Sequence, residues 1–451
     1  MQPWALFLLL SIFFSLSIPP AATGQSSADS DPVFMESDSE SPIQPRLFGL
    51  SATSGIVSQQ PWPVVSFATL RLLQPGTSWD QLNPSNGQYD FTLLDSYLES
   101  ARTHRISLLL ILFRTPRWAS SKPGDTSCID GPGSCAPPND LNPDGSGSNQ
   151  HWKDFVTAVA NHSVNSGYAR IRAYEIWNEP HNLWEWNGTY AQLVRMASDA
   201  YSIIKTVDPD ASVHSPSFAW QTEKVRQWMA GYFAAGGGQY ADKIDVHGYV
   251  FSRNGTFGWP ENMATYVPAF FDVLKQYGQK GKPVWDSEAN WGRDKPPKRH
   301  FDNPDLQAAW VARAYLLHAS YHISRFYWFG WNTHGIGQLW KPDPNDPHLP
   351  GTLLKTGIAY QQVHDWMVGA TINQTCSADG TIWTCGFSRP GGYVAEAVWD
   401  TSQSCSQTQC TTVPYPVDAQ YIKYLTLSGD VVPITGTTVP IGAKPILLEN
   451  Q

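Results

Sequence analysis

The sequence predicts an α/β fold: a (β/α)8 TIM barrel followed by a small C-terminal β-sandwich domain. From about residue 46 to 362, short apolar runs alternate with amphipathic stretches that have helical periodicity. Beyond residue 363 that periodicity stops, and turn-bounded β segments follow. Strands that alternate with helices indicate a parallel sheet covered by helices, and eight such units close into a barrel.

Eight apolar runs are the candidate barrel strands. They cover residues 47–51, 69–73, 107–113, 173–177, 212–215, 243–247, 283–287 and 326–329. Candidate helices lie between most of them, at residues 91–103, 152–166, 190–207, 223–235, 263–277 and 305–322. A doubly wound open sheet is the alternative, but it normally has a Gly-rich phosphate loop after an early strand, and none follows these strands.

The C-terminal segments at residues 382–387, 393–399, 420–427 and 445–449 have a strand pattern. We expect the barrel to span residues 46–362 and the sandwich residues 363–451. Residues just before the first barrel strand are expected to complete part of the sandwich.

The N-terminus predicts secretion. Residues 4–18 are apolar and are followed by the small-residue stretch Pro19-Pro20-Ala21-Ala22-Thr23-Gly24, so residues 1–24 are interpreted as a signal peptide. The apolar run is shorter than the ~20 residues of a membrane span, and a retained anchor is the alternative. The Ser-, Asp- and Pro-rich residues 25–45 are interpreted as a disordered leader.

The charge balance excludes several partners. The net charge is −9 and the pI is about 5.7, which argues against a nucleic acid or an anionic membrane as partner. The chain has 20 Trp, 19 Tyr and 19 Phe, which serve either as core or as stacking surfaces for sugar rings.

The six cysteines fall into three close pairs, which suits local disulfides in an oxidising compartment. The pairs are Cys128 with Cys135, Cys376 with Cys385, and Cys405 with Cys410. Zinc binding is the alternative to disulfides for paired cysteines, and we expect neither a metal nor a cofactor. Four sequons are candidate glycosylation sites: Asn161, Asn187, Asn254 and Asn373.

The first chemical motif is the run Tyr174-Glu175-Ile176-Trp177-Asn178-Glu179-Pro180. Pro180 ends a buried strand, and the carboxyl ends of barrel strands form the active face. Strand alternation predicts that Glu175, Trp177 and Glu179 point into the barrel. Enclosure by aromatic side chains is expected to raise the pKa of Glu179, so that it donates a proton near neutral pH. The competing interpretation is an ordinary salt-bridged Glu.

The second motif is Pro283-Val284-Trp285-Asp286-Ser287-Glu288-Ala289-Asn290-Trp291, at the end of the predicted seventh strand. Strands four and seven face each other across a barrel mouth, so Glu179 and Glu288 can converge there. Retaining glycosidases need two such carboxyl groups about 5–5.5 Å apart, one protonated and one ionised. Asp286, expected on the same face one layer lower, is the rival nucleophile.

The pattern resembles the clan A glycoside hydrolases, in which an Asn-Glu pair ends strand four and a Glu ends strand seven. More narrowly it resembles family 39, which includes β-xylosidases and α-L-iduronidases. The matching stretches include Thr69-Leu70-Arg71, Gly87-Gln88-Tyr89-Asp90-Phe91, Arg114-Thr115-Pro116-Arg117-Trp118-Ala119-Ser120 and Asp245-Val246-His247-Gly248-Tyr249. The first strand, Phe48-Gly49-Leu50-Ser51-Ala52-Thr53, departs from the His-rich strand of that family and leaves the substrate open.

The resemblance implies a role for each matching residue. Glu179 would be the acid/base and Glu288 the nucleophile of a secreted retaining O-glycosidase. The implied substrate-binding residues are Asn178 at the sugar 2-hydroxyl, Arg71 holding the nucleophile ionised and oriented, His247 and Tyr249 touching the nucleophile or sugar, and Trp331 as the subsite floor. Trp118, Trp177 and Trp291 are candidates facing the mouth.

Several alternatives stay open at this point. Trp184, Trp186, Trp259 and Trp340 either line an elongated glycan cleft or anchor loops. The function is β-xylosidase-like or that of a related β-glycosidase; the alternatives are an endo-acting clan A glycanase, a glucuronidase and a non-catalytic carbohydrate-binding barrel. A Ser-His-Asp hydrolase would need a G-x-S-x-G elbow, which the sequence lacks. The expected partner is an oligosaccharide or polysaccharide; the sequence does not set the oligomeric state.

Overall fold

The computed structural model describes residues 41–52, 62–73, 75–250, 258–290, 303–332, 337–345, 351–406 and 409–451. All of them belong to one compact unit, Phe34–Gln451. The predicted signal peptide, most of the predicted leader, Trp291 and the sequon at Asn254 lie outside the described residues.

Nine short parallel strands form the main sheet. They are β1 (Phe48–Ala52), β2 (Thr69–Leu72), β3 (Ser107–Leu112), β4 (Ala173–Ile176), β5 (Ser212–His214), β6 (Phe218–Ala219), β7 (Ile244–His247), β8 (Val284–Ala289) and β9 (Arg325–Phe329). Their order in the sheet is β5-β4-β3-β2-β1-β9-β8-β7-β6. Strands β5 and β6 are two pieces of the fifth barrel strand, so β8 is the seventh barrel strand and β9 the eighth.

The fifth strand closes the barrel. Its first piece, β5, pairs with β4, whereas its second piece, β6, pairs with β7. A parallel bridge joins His214 to Lys243, and the Ser215 N–H donates to the Lys243 carbonyl at 3.0 Å. The two edges of the sheet therefore meet, and the predicted (β/α)8 barrel is confirmed.

Helices connect the strands and cover the outside of the barrel. They are α1 (Trp79–Leu82), α2 (Thr92–His104), α3 (Gln150–Asn165), α4 (Tyr190–Val207), α5 (Glu223–Ala234), α6 (Met263–Gln276), α7 (Pro304–Ser320) and α8 (Lys355–Met367). Capping residues define where several helices begin. Thr189 caps the N-terminus of α4 in a capping box with Gln192, and Asn303 caps the N-terminus of α7 ahead of Pro304. Each predicted barrel strand and helix matches an observed one to within two residues at either end, while α1, α8 and the break in the fifth strand were not predicted.

The lower interior of the barrel is apolar and aromatic. Leu109, Ala173, Trp285 and Tyr327 come from four strands and form one buried cluster. Strands β3 and β4 lie far from β8 and β9 around the barrel, so these residues meet because all of them point inward. This layer supports the polar residues above it.

Strand β8 contains an irregularity that changes which residues face inward. Its register against β9 shifts between Asp286 and Ala289. Trp285 lies inside the barrel, whereas Asp286 points outward and its Oδ2 lies 2.7 Å from Nε2 of His318 on α7. The prediction that Asp286 shares a face with Glu288 is therefore wrong, because a bulge reverses the alternation that a regular strand would keep.

The C-terminal region contains two antiparallel sheets. Their strands are β12 (Thr371–Asp379), β13 (Ile382–Arg389), β14 (Tyr393–Asp400), β15 (Thr412–Pro416), β16 (Lys423–Leu425), β17 (Val431–Pro433), β18 (Thr438–Gly442) and β19 (Ile446–Glu449). The larger sheet has the order β12-β13-β14-β19-β16-β17, and the smaller one pairs β15 with β18. A separate hairpin is formed by β10 (Trp340–Lys341) and β11 (Thr352–Leu353), ahead of α8.

Alternation along the C-terminal strands builds the predicted β-sandwich. Val398, Ile441 and Leu448 belong to an apolar layer shared by the two sheets. Ala397 and Trp399, on the other face of β14, join the main core instead. The described residues 41–47 add no strand to these sheets, but the Ile43 N–H donates at 2.8 Å to the carbonyl of Ala370, directly ahead of β12; a contribution of the preceding residues to the sandwich stays a prediction.

All three predicted disulfides are present, with Cys128 bonded to Cys135, Cys376 to Cys385 and Cys405 to Cys410. The first fastens the long loop between β3 and α3, and the other two lie in the C-terminal region. Within the described ranges, no helix is both long enough and apolar enough to span a membrane.

Candidate active site

Arg71 occupies the centre of the barrel mouth. Its side chain is fully buried, and its Nε and Nη2 donate to the two carboxylate oxygens of Glu175 at 2.8 and 2.9 Å. Nη1 donates to Oε2 of Glu288 at 2.7 Å, and Nη2 also donates to Oδ1 of Asn178 at 2.8 Å. Burial lowers the pKa of Arg71, but the charges of Glu175 and Glu288 outweigh it and hold that pKa above its ordinary value. One cation thus joins strands β2, β4 and β8.

Glu288 receives a second donor from the sixth barrel strand. The Tyr249 hydroxyl, just beyond β7, donates to Oε1 of Glu288 at 2.9 Å. Burial and the neighbouring Glu288 charge raise the pKa of Tyr249 well above its ordinary value, so the phenol stays a donor. Arg71 and Tyr249 therefore hold one oxygen each and set the plane of the carboxylate.

Glu179 lies in a turn rather than on a strand. Strand β4 ends at Ile176, and both Trp177 (φ 71°) and Glu179 (φ 39°) adopt left-handed backbone conformations. Such conformations are costly for residues with side chains and persist where the surroundings enforce them. The alternation that places Glu175 inside therefore does not extend to Trp177, whose indole Nε1 donates to the Glu185 carbonyl at 2.7 Å.

Two side chains fix the carboxylate of Glu179. His247 Nδ1, at the end of β7, lies 2.7 Å from Oε1, and Asn182 Nδ2 donates to Oε2 at 2.9 Å. The other ring nitrogen of His247 is 4.0 Å from Oε2 of Glu288. The histidine thus lies between the two predicted catalytic carboxylates, and the structure brings Glu179 and Glu288 to one site.

The protonation of this pair differs from expectation. Burial raises the pKa of Glu179, but the hydrogen bond and charge of His247, with His181 and Arg71, lower it to about 2. Burial lowers the pKa of His247, yet the charges of Glu288 and Glu179 leave it above its ordinary value. The prediction of a raised pKa for Glu179 is therefore wrong, because the hydrogen bond and charge of the adjacent imidazole favour the ionised carboxylate.

Gly248, between His247 and Tyr249, allows the chain to pass close to β8. Its N–H donates to Oδ1 of Asp286 at 2.9 Å, and a Cβ atom here would lie 1.8 Å from Oδ2. His318 contacts that same Oδ2 atom, so both carboxylate oxygens of Asp286 have structural partners that hold the turn. The rival nucleophile of the sequence prediction is thus a buried structural residue that faces away from the mouth.

The predicted aromatic residues fall into different environments. Trp331 is 1% exposed and stacks on Trp340 with 5.8 Å between ring centroids; its place as a subsite floor stays a prediction. Trp177 and Trp186 are also buried and pack edge to face, so they anchor the loop after β4. Trp184 and Trp259 are exposed, at 50% and 39%.

Trp118 lines a groove of about 600 Å³ built by the loop after β3 and residues near α1. Its indole Nε1 donates to the Asn83 carbonyl at 2.9 Å, which fixes the ring. Carboxylates and prolines complete the lining: Asp80, Pro84, Pro116, Asp130 and Pro132. Rings and carboxylates together suit the apolar faces and hydroxyl groups of sugars.

Several residues of the site escaped the sequence analysis. The sequence analysis placed the side chain of Glu175 inside the barrel but did not predict its ion pair with Arg71, although a buried carboxylate is normally paired with a cation. Asn182 and Ser217, whose hydroxyl accepts from the Glu179 N–H at 3.2 Å, lie in irregular segments that carry no motif. Turn geometry alone brings them to Glu179.

A barrel with two carboxylates at the ends of its fourth and seventh strands is the architecture of the clan A glycoside hydrolases. The family model described as "Cellulase (glycosyl hydrolase family 5)" matches residues 79–334. The chain belongs to this family, whose clan is clan A, and the predicted clan is confirmed. Family and clan indicate a retaining glycosidase. A search of curated protein sequences finds no match.

Solved structures share the fold across nearly the whole chain. A family 39 glycoside hydrolase from Bacteroides cellulosilyticus WH2 has a TM-score of 0.60 at 16% identity, covering 90% of this chain and 82% of its own. A glucosidase from Croceicoccus marinus has 0.55 at 14%, covering 91% and 97%. The GH30 xylanase C of Talaromyces cellulolyticus has 0.53 at 13%, covering 85% and 88%. The resemblance to family 39 thus extends to the three-dimensional fold.

We predict that Gly248→Ala lowers both activity and stability. The added methyl group would collide with Asp286 and displace His247 and Tyr249, and a misplacement near 1 Å costs about 10²-fold in rate. Glycoside hydrolysis and thermal unfolding of the variant measure the two effects. Gly281→Ala is the matched control, since a Cβ there meets nothing within 4 Å. Equal behaviour of the two variants would contradict the packing argument.

Proposed function

We propose that this protein is a secreted retaining O-glycoside hydrolase that cleaves a plant or microbial glycan through a covalent glycosyl-enzyme. Glu288 is the nucleophile and Glu179 the acid/base. The observation that carries the proposal is the pair of carboxylates at one mouth: Arg71 and Tyr249 hold Glu288, and His247 holds Glu179. One carboxylate is thus bound as an anion, while the other shares a proton, as double displacement requires.

In the first step, a Glu288 oxygen attacks the anomeric carbon and the bond from that carbon to the glycosidic oxygen breaks. The leaving oxygen takes the bonding electrons and a proton delivered through Glu179. Asn178, oriented by Arg71, donates to the sugar 2-hydroxyl, a contact that strengthens in the transition state. The product is a neutral glycosyl ester on Glu288 and a released alcohol.

In the second step, water attacks the anomeric carbon of the ester. Glu179, now ionised, removes a proton from that water, and the bond between carbon and Glu288 breaks. The carboxylate of Glu288 is regenerated, and the proton returns to the Glu179–His247 pair. No metal or cofactor takes part in either step.

The hydrogen bond between Glu179 and His247 fits this cycle. The pKa of His247 is raised by the neighbouring carboxylates and that of Glu179 is lowered by His247, so the pair favours an imidazolium beside a carboxylate and holds one transferable proton. A bound sugar excludes water from the pair, which penalises two adjacent charges and favours transfer of the proton to Glu179. Glu179 thereby becomes the acid when the leaving oxygen is in place.

The groove beside Trp118 supports an extended substrate. The Trp118 ring and the carboxylates of Asp80 and Asp130 suit the apolar faces and hydroxyl groups of an oligosaccharide. We infer a β-glycosidase of the β-xylosidase-like or a related type, with endo-acting cleavage as the second candidate, which the groove favours. Three disulfides support an extracellular location.

We predict that Glu288→Gln abolishes hydrolysis on every substrate of a panel of aryl glycosides and plant polysaccharides. The neutral amide keeps the volume of the side chain but removes the nucleophile. Reducing-sugar and aryl-alcohol release measure turnover, and Glu223→Gln, at an exposed helix position, is the control. Substantial residual turnover in a folded Glu288→Gln protein would show that another residue is the nucleophile. Glycan binding without turnover in the native protein would favour a non-catalytic sugar-binding barrel.

We predict that Glu179→Ala loses more activity on natural glycosides than on aryl glycosides with good leaving groups. An activated leaving group needs no proton, so its first step survives; in the second step added azide attacks the anomeric carbon in place of water, and as an anion it needs no general base. Loss of about 10²–10⁴-fold on natural substrates is expected. Equal losses on both substrate types, with no azide rescue, would argue against Glu179 as acid/base.

We predict that Trp118→Ala lowers kcat/KM for oligosaccharides about tenfold, the order of a lost aromatic contact, and leaves aryl monoglycosides nearly unchanged. A chain-length series from disaccharide to pentasaccharide measures the effect. Tyr168→Ala, at a half-exposed ring before β4 on the opposite end of the barrel, is the control. A loss of kcat/KM that does not depend on chain length would show that the oligosaccharide does not bind in the groove.

A further inference from the structure

Asp286 lies two residues before the predicted nucleophile on β8, at the point where this strand loses register with β9. Its Oδ1 atom accepts from the backbone N–H of Gly248, just beyond β7, at 2.9 Å and from the backbone N–H of Glu288 at 3.3 Å. One oxygen therefore joins the backbone of Glu288 to the turn that carries Tyr249, the residue whose hydroxyl donates to the Glu288 carboxylate.

The other oxygen of Asp286 is held by His318 on α7. Nε2 of His318 lies 2.7 Å from Oδ2, and Nδ1 lies 2.7 Å from the carbonyl oxygen of Ala314, one turn earlier in the helix. A carbonyl oxygen only accepts hydrogen bonds, so Nδ1 carries a hydrogen. A neutral imidazole has a single N–H, and its bare Nε2 would then face a carboxylate oxygen with lone pair against lone pair. The short contact therefore requires a proton between Nε2 and Oδ2.

Two features favour this proton on the imidazole rather than on the carboxylate. The Oδ1 atom of Asp286 accepts from two backbone N–H groups, and hydrogen bonds donated to a carboxylate favour its ionised form. The imidazole ring is parallel to the ring of Phe326 with 3.8 Å between the centroids, which suits a cation over an aromatic face. Both side chains of the pair are fully buried, and a buried carboxylate is tolerated when a cation contacts it.

We propose that Asp286 and His318 are positioning residues: a buried carboxylate–imidazolium pair that holds the backbone of Glu288 and the turn at Gly248 in the geometry needed for nucleophilic attack. Both side chains lie behind β8 and not at the mouth, so they act through Glu288 and this turn rather than on the sugar. The strand needs such support, because its register against β9 is broken at this point. The inference rests on the proposed function for its kinetic test, whereas the charge of His318 is testable without a substrate.

The first test compares Asp286→Asn with Asp286→Ala on an aryl glycoside with a good leaving group, whose first step depends on the nucleophile and needs no acid. Asn keeps an oxygen for the backbone N–H groups and offers its NH₂ group to a neutral His318, whereas Ala removes all of these bonds. We expect Asp286→Asn to stay within about threefold of the native kcat. Asp286→Ala should lose about 10²-fold in kcat and kcat/KM alike with KM unchanged, because a displaced nucleophile weakens only the transition state.

Asp95→Ala is the matched control, and all rates are measured well below the Tm of each variant. Asp95 lies 2.6 Å from His162 between helices α2 and α3, so this variant loses a His–Asp contact without touching β8, and its kcat should equal the native value. A folded Asp286→Ala protein with native kcat would overturn the proposal, as would an Asp286→Asn protein that loses as much as the Ala variant. A native protein that hydrolyses no glycoside would contradict the proposed function instead, and the second test then decides on the pair.

The second test records the ring ¹⁵N chemical shifts of His318 by NMR at about pH 7.5, where an ordinary exposed imidazole is mostly neutral. The signals are assigned by their loss in His318→Gln. We expect both ring nitrogens of the native protein to have the shifts of an imidazolium. In Asp286→Asn the ring should become the neutral tautomer with its hydrogen on Nδ1, because the amide NH₂ then donates to Nε2. A neutral His318 in the native protein would overturn the proposal, whether or not any glycoside is hydrolysed.

Discussion

The buried guanidinium of Arg71 is the constraint on which the mouth of the barrel depends. A cation removed from water is tolerated only if anions and hydrogen-bond acceptors surround it, and breaking such a set costs about 3–5 kcal/mol. Glu175 accepts two of its five N–H donors, and Glu288 and Asn178 accept one each. The fold thereby fixes the proposed nucleophile and the proposed 2-hydroxyl contact through one side chain, below a mouth that stays open to a sugar.

Backbone geometry positions the opposite carboxylate. The left-handed conformations of Trp177 and Glu179 turn the chain out of β4 and bring Glu179 onto His247, while Asn182 and Ser217 hold the turn in place. Across the mouth, Gly248 packs against Asp286 so closely that no side chain fits. These two strained or crowded turns position the proposed acid/base and the proposed nucleophile, and the surrounding barrel holds them in place.

The two carboxyl groups at the mouth have different neighbours. Glu288 accepts from Arg71 and Tyr249, whereas Glu179 lies against His247, whose hydrogen bond and charge lower the pKa of Glu179. The proposed nucleophile is thus held by a permanent cation, and the proposed acid/base by an imidazole that can carry a transferable proton. Different environments for two carboxyl groups are what a site needs to donate and accept protons at a single pH.

The sequence by itself determined the class of fold, the order of the barrel strands and the clan. These follow from local rules: apolar runs of strand length, helical periodicity, cysteines close enough to pair, and carboxylates where strands end. Glu179 and Glu288 were predicted this way because each sits at or next to the end of a strand, whereas Arg71, Asn178, His247 and Tyr249 came from the resemblance to a known family. The tertiary structure alone decided the rest, because those properties depend on groups distant in sequence. The bulge that turned Asp286 toward His318, and the His247 contact that lowers the pKa of Glu179, both arise from contacts that no single segment encodes.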